Sequence, residues 1–350
     1  MTGPASLSPR IDGSGPIGLD PLGFAETHLS EPARAALGGL RTVLEERVEP
    51  LLAEAWETAT MPAGVLEALV PLDLMQPAGV SEEEAGSSMF SGFRNYTLAR
   101  TDASVATLYN AQAGLFRTSV RLGGSPEQFA ELDPLIQSFA LTGVFALTEP
   151  EHGSDIAGGI ATRATRRGDD WEIEGAKHWI GGAASADVLL VFARTDEDRG
   201  IGAFLVPRDA PGVSLEPIGG KAALRPMQNA TIRLAGVRVP DSARLRAVGS
   251  CADVARILGA MRSDVAWIAT GIQAGALDAA LAYVREREQF GRPIAGFQLV
   301  QEKLARMLGN LAASLGLVVQ LSAGTNPLQV LIQQGGQIAG AFGPAFGPAG

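Results

Sequence analysis

Apolar residues recur at three- and four-residue steps in two separate stretches of this chain, and at two-residue steps between them. From Phe24 to about Phe139, Leu37, Leu40, Val43, Leu44, Val48, Leu51 and Leu52 form one helical stripe, and Leu66, Leu69 and Val70 begin another after Pro62. Ser81-Glu-Glu-Glu84 puts acids in the first turn of a further helix, which continues through Met89, Phe90, Phe93, Tyr96 and Leu98. From about Leu141 to Val248 the step becomes two. Strands are predicted over Ile160 to Thr165, Trp171 to Ile173, Val188 to Arg194, Ala203 to Val206, Val213 to Ile218 and Ala230 to Val239, broken by turns such as Gly168-Asp-Asp170. Helical spacing returns with Val254, Ile257, Leu258 and Met261 and runs to about Leu321, interrupted at Gly291-Arg-Pro293. The pattern predicts an α+β protein: an N-terminal helical domain over 21–140, a middle β domain over 141–248 and a helical segment over 249–323. A loose arm (1–20) precedes these, and a Gly-, Pro- and Ala-rich tail (324–350) follows.

Composition narrows the class. A chain of 350 residues exceeds one ordinary core, and 46% hydrophobic content can fill more than one. With 38 acidic against 28 basic residues the net charge is −10, which argues against nucleic acid or an anionic membrane as a partner. No uninterrupted apolar run approaches the ~18 to 20 residues that span a bilayer, so a soluble protein is expected. Cys251 is the only cysteine, which rules out an internal disulfide, fits a reducing, cytoplasmic setting, and reads as a small buried filler.

Two stretches stand out as candidate chemistry. In Phe145-Ala-Leu-Thr-Glu-Pro-Glu-His-Gly-Ser-Asp155, a β-prone run ends where Pro150 removes a donor, which leaves Thr148 at a strand end. Gly153, Ser154 and Asp155 then allow backbone N–H and hydroxyl groups to approach a phosphate or a carbonyl-rich ring. Lys177-His-Trp-Ile-Gly-Gly182 reads as a second such loop. On local pattern alone, an ordinary turn between strands accounts for either. His28, His152 and His178 have no acid or serine fixed beside them by spacing, and read as surface or loop residues.

Three motifs in order change that balance: Leu147-Thr-Glu-Pro-x-x-Gly-Ser-Asp155, Lys177-x-Trp-Ile180, and Arg287-Glu-Gln-Phe-Gly291 with Phe297-Gln298. Together they resemble the acyl-CoA dehydrogenase and oxidase superfamily of flavoproteins, over roughly residues 25 to 323. Trp179-Ile-Gly-Gly182, Leu224-Arg-Pro-Met-Gln-Asn229 and Gln298-Leu-Val-Gln-Glu-Lys-Leu304 look like its glutaryl-CoA dehydrogenase and short-chain acyl-CoA oxidase branch. The resemblance implies FAD as cofactor. Phe145, Leu147 and Thr148 would lie near the isoalloxazine, with Thr148 hydrogen-bonding the ring. Ser154 would sit between flavin and CoA. Trp179, with Ile180 and Gly181, would shield the flavin face. Arg287 would meet the pyrophosphate, and Phe290 and Gln298 the adenosine half, of FAD in a neighbouring subunit of a homotetramer. Electrons would pass to an electron-transferring flavoprotein or to dioxygen. Glycine at 181, where many dehydrogenases carry threonine, is oxidase-like and leaves room beside the flavin's reactive nitrogen; it also suits a tight turn with Gly182.

The implied reaction is removal of an α-proton by a glutamate and passage of a hydride from the β-carbon to flavin, giving a 2-enoyl-CoA. Ala106 stands where glutaryl-CoA dehydrogenases carry the arginine that grips a distal carboxylate, so a plain short acyl chain is expected. No glutamate follows Ala323, and the alternative base position, one residue before Arg262, is Met261. Arg262 is expected to contact substrate or support a base. Asp264, rotated about 200° from Arg262 on a helix, is expected to point away. The C-terminal helical domain is therefore expected to be incomplete, as after truncation or a frameshift. The apolar set Leu308, Leu311, Leu315, Val318 and Val319 would then be partly exposed. Two other readings stay open: a non-catalytic fragment, and a flavin monooxygenase or nitroalkane oxidase of the same fold.

Overall fold

Side-chain caps set five of the helix starts in the first part of the described chain. The computed structural model describes residues 19–196 and 200–325, so the expected arm and tail lie almost wholly outside the described residues. Nine helices come first: α1 (Phe24–His28), α2 (Glu31–Val43), α3 (Glu49–Thr58), α4 (Ala63–Leu69), α5 (Glu82–Ala85), α6 (Ser88–Thr101), α7 (Ala103–Asn110), α8 (Arg117–Gly123) and α9 (Pro126–Gln137). Ser30, Ser81, Ser87 and Asp102 accept from first-turn N–H groups, and Ser125 and Gln128 form a reciprocal capping box. π-helical segments at Leu44–Val48 and Ala111–Phe116 join α2 to α3 and α7 to α8. The first ends just before Pro50, whose missing donor breaks the i→i−4 ladder.

The chain then forms β1 (Gly143–Ala146), a short α10 (Ile156–Gly159), β2 (Arg163–Arg167), β3 (Asp170–Gly181), β4 (Val188–Thr195), β5 (Ile201–Pro207), β6 (Val213–Pro217) and β7 (Asn229–Pro240). These make one seven-stranded sheet in the order β1-β4-β2-β3-β7-β6, with β5 on β4. β4 runs parallel to β1 and β2, and the remaining pairings are antiparallel. Trp171, Ile173, Leu189, Val191, Phe204 and Ile232 fill its interior.

Two expectations need correction. β2 starts at Arg163 and not at Ile160, because Ala161 and Thr162 direct their N–H groups to the Glu149 carboxylate, away from a β ladder. Lys177–Gly181 is the end of β3, distorted by a register shift between Lys177 and Ile180, where a free loop was expected.

Helix α11 (Cys251–Glu286) ties the halves together, and the hairpin β8 (Glu288–Gln289) and β9 (Arg292–Pro293) turns the chain into α12 (Gln298–Ser322). The first turns of α11 pack Val254, Ile257 and Met261 with Phe116, Val120, Leu190 and Phe192. Its later turns put Trp267, Ala274 and Leu277 into a core with Phe90, Phe93 and Tyr96 of α6. Leu311, Leu315, Val318 and Val319 are buried in that same core, so of this set only the half-buried Leu308 shows the partial exposure expected. Cys251 is exposed at the start of α11, contrary to its reading as a filler. Run length also misjudged these helices. Each of α11 and α12 holds an 18-residue stretch, of mean hydropathy 1.3 and 1.4, apolar enough by length and composition to cross a membrane. Alanine in α11, and leucine and valine scattered among polar residues in α12, raise the average without a continuous aliphatic run.

The α6–α11 crossing depends on glycine. A Cβ on Gly275 would lie 2.1 Å from Arg100 O, and one on Gly271 would lie 2.4 Å from Tyr96 O, with backbone as the obstacle in both cases. We expect Gly275→Ala to lower unfolding free energy by about 1–3 kcal/mol through overpacking. Gly259→Ala, exposed on the same helix with nothing within 4 Å of the added carbon, should raise it by about 0.5–1 kcal/mol. Denaturant midpoints decide the matter, and equal shifts for the two variants would contradict the close crossing.

Candidate functional site

The end of β1 and the end of β3 lie side by side. Phe145 is half-buried with its ring centroid 4.8 Å from that of Phe192, Leu147 is buried and Thr148 half-buried. Beyond them, Glu149 N–H donates to His152 O at 3.0 Å and His152 N–H to Glu149 O at 3.3 Å, which closes a turn over Pro150. Gly153, Ser154 and Asp155 follow on the surface. His152 does have a partner, since its Nδ1 lies 2.9 Å from Asp155 Oδ2, and this hydrogen bond holds the Asp155 carboxyl below its ordinary range.

His178 N–H donates to Thr148 O at 2.8 Å, which fixes the two motifs against each other. The next residue, Trp179, adopts φ +63° and leaves 53% of its surface exposed. A left-handed conformation costs a residue with a Cβ roughly 1–2 kcal/mol, and pairing on both sides of the bulge holds it. Asn229 Nδ2 donates to Trp179 O at 2.9 Å, while Asn229 Oδ1 accepts from Lys221 Nζ at 2.6 Å. His178 is also partnered, Nδ1 to Thr231 Oγ1 at 2.8 Å. Ile180 turns into the sheet core, so its side chain is structural. A Cβ on Gly181 would lie 2.6 Å from Met227 Cε, so that methyl takes up the room expected beside this glycine. Among the described residues, the Thr148 and Ser154 hydroxyls and the Trp179 indole N–H have no hydrogen-bond partner.

Sequence reading missed the pair beneath these residues. Lys177 is fully buried, and its Nζ donates to Glu149 Oε1 at 2.8 Å and to Leu147 O at 3.1 Å. Burial drives the Lys177 ammonium down to about 8, with Glu149 resisting. Burial tends to raise the Glu149 carboxyl, and its hydrogen bonds from Lys177 and Thr162 outweigh that and leave it lowered. The signal was available, since Lys177 shares strand parity with Trp171 and Ile173 and so faces inward.

Other expected residues lie elsewhere. On α11, Arg262 is exposed, whereas Asp264 is turned inward with Met261. A Cβ on Gly114 would lie 2.6 Å from Asp264 Oδ2, and burial pushes that carboxyl up against the pull of Arg94 and Asn110. Ala106 is fully buried. Arg287, Phe290 and Gln298 are exposed on and around the β8–β9 hairpin, where Phe290 adopts φ +54° at 94% exposure. No hydrogen bond among the described residues links this hairpin to the Thr148–Trp179 face.

Comparison with known proteins supplies the chemistry this geometry fits. The family described as "Acyl-CoA dehydrogenase, middle domain" matches residues 144–237, and "Acyl-CoA dehydrogenase, C-terminal domain" matches residues 252–330. The short-chain specific acyl-CoA dehydrogenase, mitochondrial, of Homo sapiens is 31% identical over 319 residues, covering 87% of this chain and 76% of that protein. The probable acyl-CoA dehydrogenase YngJ of Bacillus subtilis is 39% identical over 205 residues, which is 55% of this chain and 53% of that protein, so the chain matches about half of that relative's length. Among solved structures, a glutaryl-CoA dehydrogenase from Mycobacterium smegmatis in complex with FADH2 superposes with TM-score 0.79 at 29% identity, covering 90% of this chain and 82% of that one.

Lys177 binds its proton less tightly when folded, at about 8 against an ordinary 10.5. Between those pH values the unfolded chain carries the extra proton, so Lys177 makes the fold gain stability as pH rises through the window. Urea unfolding at pH 7.5 and 10 should show this gain in the native chain and its loss in Lys177→Met. Parallel pH dependence in the two proteins would refute it.

Proposed function

The chain belongs to the acyl-CoA dehydrogenase family, and from that premise we propose that it binds FAD for α,β-dehydrogenation of a short, uncharged acyl-CoA to the 2-enoyl-CoA. The observation that carries this reading is the 2.8 Å bond from His178 N–H to Thr148 O, which sets an unpaired hydroxyl beside an exposed indole plane. That combination suits a flat heteroaromatic ring with polar edges. FAD, when bound, supplies the acceptor for the hydride that leaves the acyl β-carbon. Thr148 would hydrogen-bond the ring edge, Trp179 would cover one face and keep water from it, and the exposed Ser154 would meet the CoA arm. Arg287 offers forked donors to a pyrophosphate, with Phe290 and Gln298 beside it. We assign this second set to the FAD of another copy of the chain.

Substrate and acceptor follow from two further details. Ala106 is buried and uncharged, so that position offers no cation to a distal carboxylate. Met227 fills the space beside Gly181, which favours an electron-transferring flavoprotein over dioxygen as electron acceptor. The proton-abstracting step needs a base. Asp264 is packed against Gly114 and Asn110, and residues 324–350 contain no acid. General-base catalysis supplies about 10²- to 10⁴-fold, so turnover by these 350 residues is expected to be negligible.

The purified chain should take up FAD and turn yellow. Trp179→Ala should weaken uptake about tenfold in a flavin-fluorescence titration, equivalent to about 1.4 kcal/mol. Flavin that never co-elutes with folded protein, even in excess, would show the cofactor assignment to be wrong. With butyryl-, hexanoyl- or glutaryl-CoA and a dye acceptor, no appreciable oxidation is expected. Fusing a relative's C-terminal segment after Ala323 should restore it. Vigorous oxidation by the unmodified chain, surviving Asp264→Asn, would overturn the account of the missing base.

A further inference from the structure

We infer that the buried Lys177–Glu149 pair is a positioning clamp that sets the direction in which Thr148 meets the flavin ring; this rests on the FAD reading above. The argument starts from peptide geometry. Leu147 O and Thr148 N–H belong to one planar trans peptide and point in opposite directions. Lys177 Nζ draws Leu147 O inward at 3.1 Å, so Thr148 N–H faces outward, and among the described residues it has no acceptor. The following peptide is held in the same way, by His178 N–H on Thr148 O at 2.8 Å. Adjacent residues of β3 therefore fix both peptide planes that flank Thr148, and with them the φ and ψ that direct the Cα–Cβ bond carrying its hydroxyl.

Glu149 anchors the clamp from the other side. Its Oε1 accepts from Lys177 Nζ at 2.8 Å and from Thr162 N–H at 3.0 Å, and its Oε2 accepts from Ala161 N–H at 2.7 Å. One carboxylate thus joins the end of β1, the lead into β2 and the inner face of β3. A glutamine in its place would turn an amide N–H₂ toward one of the donors it now satisfies. The bond from Nζ to Leu147 O and the two N–H bonds to Glu149 are what make the pair directional.

The test uses Lys177→Met, Glu149→Gln and the double variant Lys177→Met/Glu149→Gln in the 350-residue chain. Each single change leaves a buried charge or donor unmatched and lowers the unfolding midpoint. The double change removes both charges and should recover much of that loss. FAD affinity should not recover with it. We expect affinity at least about tenfold weaker in all three, with altered visible absorption and circular dichroism of the bound flavin. Hydrogen exchange without flavin should quicken at the amides of Ala161, Thr162 and His178 but not at Val191 or Ile232. A double variant that regains both stability and native flavin affinity and spectrum would reduce the pair to a structural bridge and overturn the inference, as would unchanged exchange at Ala161, Thr162 and His178. If exchange quickens as expected but the native chain takes up no FAD, the cofactor reading fails and the clamp's geometry stands.

Discussion

The crossing of α6 and α11 is so close that one methyl group on Gly271 or Gly275 would meet a backbone oxygen, and the placement of every other layer depends on it. Backbone cannot move aside as a side chain can, so the two axes are fixed at this distance. Trp267 closes the same seam, since a Cβ on Gly92 would lie 2.2 Å from its indole. Arg100 and Asp278 pair across the seam at 2.5 Å. Because α11 continues from this helical core into the cluster formed with Phe116, Leu190 and Phe192, the position of the sheet is inherited from the helix crossing.

Where the sheet meets the surface, order comes from polar contacts. β1 contributes four residues and then leaves the ladder, so hydrophobic burial cannot specify the backbone beyond Leu147. The Glu149 carboxylate, Lys177 and the His178 amide take over that task with hydrogen bonds inside low-dielectric surroundings, where such bonds are stronger and their loss costs more. Asn229 does the same for the far side of the bulge, joining Trp179 O to Lys221. The chain therefore changes its means of specification, from apolar packing in the elements to buried polar networks at the site.

That change explains what could be read from sequence. Helical and strand periodicity located the elements because burial writes itself into spacing: Leu37 and Leu40, or Trp171 and Ile173, lie inward for the reason the pattern suggests. The motif residues Thr148 and Trp179 were found by resemblance, and their adjacency needed the fold. The role of Lys177 is not legible in the sequence, because a charged residue in phase with an apolar strand face carries no meaning until its partner 28 residues away is known. The strand character of Lys177–Gly181 was missed because the bulge removes alternation at Trp179. The apolar faces of α12 were misjudged for a different reason, since periodicity shows that a stripe is buried without showing what buries it. Here Leu311, Leu315, Val318 and Val319 face the core they share with α6 and α11.

Trp179 and Phe290 raise one physical question together. Both have side chains among the largest and most apolar available, both adopt positive φ, and both are exposed, Phe290 almost completely. The left-handed backbone costs roughly 1–2 kcal/mol at each position. Leaving the side chain in water forgoes a further ~1.5–3 kcal/mol of burial for a phenylalanine. At Phe290 the two-residue β8–β9 turn, in which Gly291 also takes positive φ, accounts for the backbone conformation; the ring meets Phe297 edge-on at a centroid distance of 6.1 Å and is otherwise left exposed among the described residues. Exposure of so large an aromatic side chain is what a contact completed by another molecule would cover. For Trp179 that molecule is, on our proposal, a flat cofactor lying beside Thr148. For Phe290 it is the same cofactor held by a second copy of the chain. Among the described residues no hydrogen bond connects the two positions, and in this reading they are the two ends of one site.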